Sequence, residues 1–322
     1  MSAIGNKDTR TNPRGMTRFW AIVRYELLWN IRKKKFLGMI IVAFALATLG
    51  LALPVILNNI VGRPLSQNPD YAISSGTGAF GFFLFALVTA MNSISGEFES
   101  GTIVPLLTKP VSRTLVFLGK LFASFIILLS TYTVLFLYTT IGGTIIYGPQ
   151  NNLQLVPLVL FGDIVSTLVW VAIVLAIGSI SKSSLLAALG AFGIFMALLI
   201  SVPIISAFSD QAWTLNYVPG NGVSGTLRSI SQVNQTRVIT EKFISTGTNN
   251  IGTNLITYIL NPTANVTFYK FEIQSPSNIS QILSYSEPLS LVVVRTVAVA
   301  SIYIITFMLI ALYAFKRAQI VE

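Results

Sequence analysis

Six long apolar stretches, separated by polar segments, dominate the pattern of the chain. Each is close to the ~20 apolar residues that an α-helix needs to cross the hydrocarbon core of a bilayer. The second stretch is the shortest and contains several glycines. The stretches are 36–57, 79–96, 121–141, 155–181, 183–209 and 288–315. The pattern therefore predicts an all-α polytopic membrane protein with six transmembrane helices.

The composition agrees with a membrane protein and excludes several kinds of chemistry. Of the 322 residues, 53% are hydrophobic and 10% are charged, whereas soluble domains carry about 25% charged residues. The chain contains no cysteine and no histidine. Disulfides, thiol catalysis, Ser-His-Asp catalysis and zinc sites built on Cys or His are therefore excluded.

The basic residues lie mainly on one side of the predicted membrane. If the N-terminus lies inside, 15 of the 21 Lys and Arg residues fall in inside segments. Because positively charged loops tend to stay in the cytoplasm, we expect a multi-pass protein of the plasma membrane with both termini cytoplasmic. The inside set is Lys7, Arg10, Arg14, Arg18, Arg24, Arg32, Lys33, Lys34, Lys35, Lys109, Arg113, Lys120, Lys182, Lys316 and Arg317.

The polar segment between the fifth and sixth stretches falls outside in this arrangement. It is rich in Asn, Ser, Thr and Gly, and it carries glycosylation sequons at Asn234, Asn265 and Asn278. We expect a small, glycosylated extracytoplasmic domain, with a partly ordered loop as the alternative. The chain then divides into a cytoplasmic tail and N-terminal helix (1–35), five transmembrane helices (36–209), the extracytoplasmic domain (210–287) and the last helix with its tail (288–322).

One part of this outer segment alternates between polar and apolar residues. Over 265–274, Thr267, Tyr269, Phe271 and Ile273 fall on one face. An alternation with a period of two residues is typical of a half-buried β-strand. We therefore predict a strand here.

Two charged residues lie within the apolar stretches, Asp163 in the fourth and Arg295 in the sixth. Both lie about two helical turns from the outer side, so they share a depth in the membrane. A lone charge in lipid costs at least about 2.5–3.5 kcal/mol on insertion scales. We predict that Asp163 and Arg295 form an ion pair or line one aqueous vestibule.

The inside loop between the second and third stretches, 97–113, has an unusual sequence. It is acidic at its start and apolar in its middle, and a proline closes it before span three begins. Such an element can form a short helix, since a threonine can cap its start and a proline limits its end. The residues that we predict to couple this loop to a partner are Glu97, Glu99, Gly101, Thr102, Leu106, Leu107, Pro110, Arg113 and Lys120.

The same loop carries a family resemblance. Glu-x-Gly-Thr from Glu99, Leu-Leu at 106–107, Pro-Val-Ser-Arg at 110–113 and Gly-Lys at 119–120 resemble the permease subunits of ABC-2 type exporters. Phe98 stands where that family often has a basic residue. The resemblance implies that the loop contains a cytoplasmic coupling helix, which docks on a separate ATP-binding cassette ATPase.

The resemblance also implies an amphipathic helix along the inner membrane surface before the first span. Residues 16–35 could supply it, with an inward extension of the first span as the alternative. Its apolar strip would be Trp20, Val23, Leu27 and Ile31, and its polar strip Glu26, Asn30 and Lys33. Two tryptophans, a tyrosine and many basic residues suit a membrane interface.

The chain has no visible nucleotide site of its own. Gly119-Lys120 lacks the spacing and the following Ser or Thr of a phosphate-binding loop. The resemblance therefore implies a transport subunit rather than an enzyme. ATP and magnesium would bind in the partner chain, and the translocation pathway would need a second permease copy, identical or different. We expect lipid contacts and no nucleic-acid partner.

Two other functions remain open at this point. A secondary transporter would have ionisable groups near the midplane and inverted repeats, and the sequence shows no convincing repeat. A membrane sensor or anchor would use segment 210–287 as its binding module. The two differ from the exporter in not depending on loop 97–113.

Overall fold

The computed structural model describes residues 15–32, 34–65, 67–74, 78–101, 112–233, 236–275 and 278–317. Ten α-helices are described: α1 Gly15–Arg32, α2 Lys35–Val61, α3 Tyr71–Ser74, α4 Gly78–Ala90, α5 Ser95–Glu99, α6 Arg113–Tyr147, α7 Val156–Ser181, α8 Ser184–Phe208, α9 Ile251–Leu260 and α10 Leu289–Arg317. Four strands are described: β1 Ser224–Val233, β2 Thr236–Ser245, β3 Asn265–Ser275 and β4 Asn278–Pro288. Single 3₁₀ segments lie at Leu153–Leu155, Ala212–Tyr217 and Thr248–Asn250.

Six of the described segments are long and apolar enough to cross a membrane, which confirms the predicted number of spans. They are α2, α4 with α5, α6, α7 with the short helix before it, α8 and α10. Span three is longer than predicted, since Arg113–Tyr147 extends beyond 121–141 at both ends. Its extra turns carry polar residues, which a purely apolar criterion leaves out. Ser112 caps its start by accepting a hydrogen bond from the Leu115 amide.

Span two is broken into two helices. The turn at 91–94 separates α4 from α5, and the Ser95 hydroxyl donates to the Met91 carbonyl across it. Serine and asparagine compete for backbone hydrogen bonds in this way, which interrupts a helix. The short helix α5 contains the first residues of loop 97–113, so the break separates the start of the loop from α4.

Span four, α7, is the central helix of the bundle and the most buried of the six. Its Trp170 is fully buried, and its ring meets Phe83 of α4 at 5.7 Å and Phe195 of α8 at 5.2 Å between centroids. The helices α4, α6, α8, α9 and α10 pack against α7. Apolar faces of α2 and α8 remain exposed. Lipid covers exposed apolar helix faces of this kind in a membrane.

The helices α7 and α9 touch through their backbones. A Cβ atom on Gly162 would overlap with the backbone of Gly252, and one on Gly252 would lie 2.8 Å from the Val159 carbonyl oxygen. Only glycine permits two helices to approach this closely. The short helix α9 is thereby fixed against the first half of α7.

The segment between spans five and six forms an antiparallel sheet with strand order β2-β1-β3-β4. Its core continues into the first turn of α10, where Leu289 and Val292 are fully buried. We call this end of the bundle the sheet end and the opposite one, where loop 97–113 leaves, the loop end. Asn265 starts β3 with an exposed side chain and Asn278 starts β4; Asn234 lies outside the described residues.

The predicted strand exists as β3. Val266 and Phe268 are buried, whereas Tyr269 and Phe271 are 45% and 39% exposed. A bulge between Phe268 and Tyr269 shifts the register with β4. The two buried side chains both precede this bulge.

The predicted pairing of Asp163 with Arg295 is also wrong. Both terminal nitrogens of the Arg295 guanidinium donate to the Glu287 carboxylate, and Nη1 lies 2.7 Å from Oε2. A helical side chain points toward the N-terminus of its helix, so Arg295 reaches back to the end of β4. Asp163 is 2% exposed, and its Oδ2 has no hydrogen-bond partner among the described residues.

The first helix, α1, is separate from span one. Lys34 adopts a left-handed conformation (φ 56°) between α1 and α2, which ends one helix before the next begins. Within the chain, Val23 and Glu26 of α1 are buried, whereas Trp20 and Ile31 are exposed. Exposed apolar side chains of this kind suit a helix that lies against lipid.

The contact between α7 and α9 gives a stability prediction. We expect Gly162→Ala to lower the free energy of unfolding by about 1–3 kcal/mol, because the added methyl group overlaps with the backbone of Gly252. The thermal unfolding midpoint of the purified protein in detergent measures this. The matched control is Gly193→Ala in α8, where a Cβ meets nothing within 4 Å. A Gly162→Ala protein as stable as this control would contradict the packing.

Candidate functional site

The candidate site is the loop end of the bundle, where the flanks of loop 97–113 meet three other helices. Of the predicted coupling residues, Glu97, Glu99, Gly101, Arg113 and Lys120 lie in the described flanks. Thr102, Leu106, Leu107 and Pro110 lie outside the described residues. The flanks show how the loop is attached to the rest of the chain.

A buried ion triad joins the two flanks to α1. Lys120 Nζ lies 2.8 Å from Glu26 Oε2 and 2.7 Å from Glu97 Oε1. The side chains of Lys120 and Glu26 are 5% and 9% exposed, and that of Glu97 is 20% exposed. The lysine therefore connects α1, α5 and α6 at one point. Buried charges need partners of this kind, since an isolated ion is costly to remove from water.

Close packing brings α1 to this position. A Cβ on Gly119 would lie 2.7 Å from Cγ2 of Ile22, so the glycine leaves room for α1 to rest on α6. The rings of Phe19 and Trp20 each lie 5.7 Å from the ring of Phe122 on the same side. Gly119 therefore lets α1 pack closely on α6, and the neighbouring Lys120 binds the Glu26 carboxylate of α1.

The carboxylate of Glu99 binds the start of span five. Its Oε1 accepts hydrogen bonds from the Ser184 amide at 2.8 Å and the Ser183 hydroxyl at 2.9 Å, and its Oε2 accepts one from the Ser184 hydroxyl. The first amides of a helix have no partner within the helix, and they favour a negative charge. Glu99 therefore caps α8 from a different part of the chain.

The second flank binds the end of span six. Arg113 Nη1 donates to the Lys316 carbonyl at 2.7 Å, close to the C-terminus of α10. A cation is favourable there because the last carbonyls of a helix are unpaired. Beside this contact, the Phe315 ring lies 6.2 Å from Phe98 and 6.1 Å from Phe117.

These contacts form one connected group, which we call the coupling hub: Glu26, Glu97, Glu99, Arg113, Lys120, Ser183, Ser184 and Lys316. Four of the residues that we predicted to couple the loop to a partner bind other parts of this chain. Lys120 is buried, Glu97 is three-quarters or more covered, Glu99 binds α8 and Arg113 binds the end of α10. Their coupling to a partner stays a prediction, and Glu99 and Gly101 are exposed.

The sequence analysis missed Glu26, Ser183 and Ser184. Glu26 is the one acidic residue among the basic and apolar residues of 16–35. Such a lone charge of opposite sign indicates a specific partner, and Lys120 was available. Ser183 follows Lys182, whose left-handed backbone (φ 55°) ends α7. A serine before an apolar run predicts a helix start, but no local pattern predicts a cap from another loop.

The ion triad predicts a large effect of a single substitution. We expect Lys120→Met to lower the free energy of unfolding by about 3–5 kcal/mol, because two buried carboxylates lose their counter-ion. Adding Glu26→Gln and Glu97→Gln should recover most of the loss, since it removes both charges. The thermal unfolding midpoint in detergent is the measurement.

The control for this experiment is Arg228→Met at an exposed ion pair. Arg228 lies 3.6 Å from Glu241, and both side chains are more than half exposed. Its loss should cost less than about 1 kcal/mol. If Lys120→Met unfolds at the wild-type temperature, the triad does not hold the loop end together.

Comparison with known proteins identifies the family of this chain. The model of a family described as "ABC-2 family transporter protein" matches residues 20–320, which include the whole hub and all six spans. A search of curated proteins gives no significant match. The match covers nearly the entire chain, and the members of this family are the membrane-embedded transport components that work with an ABC ATPase. This chain therefore belongs to the ABC-2 family, as a multi-pass permease subunit of an ABC transporter.

Proposed function

We propose that this permease subunit is part of an exporter and is driven by a separate ATP-binding subunit that docks on loop 97–113. The observation that carries this proposal is the coupling hub. Both flanks of the loop are fastened to other helices, α1 through Lys120, α8 through Glu99 and α10 through Arg113. A displacement of the loop by a partner would therefore reach most of the bundle at once. The export direction follows from the family resemblance of the loop.

The energy for transport would come from the partner. We expect ATP and magnesium to bind there, because Lys120, the one lysine in a Gly-Lys pair, is held in the ion triad. A second permease copy, identical or different, would complete the pathway at the interface between the two. Lipid would cover the remaining apolar faces of α2 and α8.

We further propose that the loop end faces the cytoplasm of the plasma membrane and that the sheet end faces outward. The excess of Lys and Arg near the loop end supports this orientation. Both termini would then be cytoplasmic. Asn265, exposed at the start of β3, would be available for glycosylation in a host that modifies surface proteins, together with Asn234 and Asn278.

The orientation can be tested directly because the chain has no native cysteine. Phe243 is 87% exposed on β2, and Lys109 lies in loop 97–113. We expect a membrane-impermeant thiol reagent to label Phe243→Cys on intact cells and to label Lys109→Cys only after permeabilisation. The reverse pattern would contradict the proposed orientation and, with it, docking of a cytoplasmic ATPase on the loop.

Docking on the loop gives a second test. The tagged chain, purified from native membranes, should co-elute with an ABC ATPase subunit and with ATP hydrolysis. Leu106→Asp with Leu107→Asp should weaken this association tenfold or more, because central apolar contacts dominate interface energies. Co-elution and ATP hydrolysis per mole of chain are the measurements.

The matched control replaces a surface leucine at the other end of the molecule. Leu283 is 62% exposed on β4, and Leu283→Asp should leave co-elution and hydrolysis unchanged. If both variants retain the ATPase equally, the loop is not its docking site. If no ATPase co-elutes with any form, a sensor or anchor function with the sheet as its binding module becomes the better explanation.

A further inference from the structure

Span five is held at the loop end by residues outside its own helix. Glu99 makes three hydrogen bonds to Ser183 and Ser184, and Lys182 Nζ lies 5.9 Å above the ring of Phe98. Two consecutive residues of the loop flank therefore bind residues 182–184, where α7 ends and α8 begins. The carboxylate bonds are charge-assisted, and such bonds are roughly twice as strong as neutral ones.

The remaining contacts of α8 in this region involve small side chains. Ala187 and Ala191 are fully buried against α7, and a Cβ on Gly190 would lie 3.3 Å from Cγ2 of Ile177. Small side chains allow two helices to approach and to slide past each other, because few interlocking groups oppose the movement. Sliding of α8 along α7 should therefore meet little resistance. Separating Glu99 from Ser183 and Ser184 should meet more, because it breaks hydrogen bonds.

The same region also brings α5 close to both helices. A Cβ on Gly178 of α7 would lie 3.3 Å from Cβ of Ala187 and 3.3 Å from Oγ of Ser95. The helix α5, which carries Glu99 at its end, thus lies over the crossing of α7 and α8. A movement of α5 has a direct path into α8, although the two helices are 84 residues apart between Glu99 and Ser183.

We propose that Glu99 is a positioning residue that makes span five follow loop 97–113. When the ATPase displaces the loop, the carboxylate carries the start of α8 with it over the small-residue seam. This inference rests on the proposed function, since it needs a partner that moves the loop. It goes further in adding span five to spans two and three, which are joined to the loop covalently.

A cap that only stabilises α8 would behave differently. It would lower stability when removed, but it would not change which parts of the molecule move together. The distinguishing measurement is therefore the distance between the loop flank and span five in two nucleotide states. It needs no knowledge of the transported substrate.

The experiment uses two spin labels in the cysteine-free chain, at Ser100→Cys on the flank and Leu189→Cys on the exposed face of α8. The complex with its ATPase is measured without nucleotide and after trapping with ATP and vanadate. In the otherwise wild-type chain we expect the same distance in both states. With Glu99→Ala added, which removes every hydrogen-bond acceptor of this side chain, trapping should shift the distance by about 2 Å or more, because the loop moves without α8.

A second variant removes the other half of the contact. Ser183→Ala with Ser184→Ala deletes both hydroxyl donors and leaves the Ser184 amide, so the shift should be in the same direction and smaller. The control is Glu241→Gln, an exposed carboxylate on β2, which should leave the distance constant.

Two results would overturn the inference. One is a distance that changes on trapping in the wild-type chain, since span five would then not follow the loop. The other is a constant distance in Glu99→Ala, since the Glu99 side chain would then not be what connects them. Failure of the proposed function has a separate signature, because ATP hydrolysis would then be absent or independent of the chain before any variant is compared.

Discussion

The position of one lysine between two carboxylates organises the loop end of this protein. A bilayer offers no water to its embedded groups, so each polar group there must find a partner within the protein. Lys120 meets this requirement with Glu26 and Glu97, which belong to two other helices. Since none of the three charges is tolerated alone, α1, α5 and α6 must meet at this point. Because Glu97 and Lys120 lie in the two flanks of loop 97–113, this ion triad fixes where both flanks lie.

The two ends of the bundle are built on different kinds of contact. At the sheet end, α7 and α9 touch through glycine backbones, and the sheet core continues into α10. Close-packed contacts of this kind have one arrangement and tolerate little change. At the loop end, carboxylates hold the starts of helices, and small residues separate α7 from α8. Helices that are held by hydrogen bonds at their ends and that meet through small side chains can shift as rigid units.

The sequence predicted the spans well because lipid imposes a simple rule. A helix must be long and apolar, and that property is visible without knowing any contact. Contacts between distant segments were not predictable in the same way. Asp163 and Arg295 share a depth, but depth does not determine which groups face each other around a helix. Arg295 found a nearer partner in Glu287, eight residues earlier, because its side chain extends toward the start of its helix.

The sequence predicted several residues of the coupling hub but not which pairs of residues are in contact. The charged residues of 97–120 identified the region, and they were predicted to couple it to a partner. Within the chain they bind Glu26, Ser184 and the last turn of α10, which are 94, 85 and 203 residues away in sequence. In each case the outcome depended on three-dimensional neighbours that local periodicity does not encode.

The departure of this chain from the family pattern at Phe98 has a physical explanation in the hub. A basic residue there would lie beside Lys182, whose ammonium group is 5.9 Å from the Phe98 ring. With phenylalanine, the same position attracts that ammonium group through the face of its ring and packs toward Phe315 at 6.2 Å. Phe98 therefore strengthens the attachment of the flank to the junction of α7 with α8 and to α10, which Glu99 and Arg113 also bind. At this position an aromatic ring provides contacts within the chain that a second basic residue beside Lys182 would not provide.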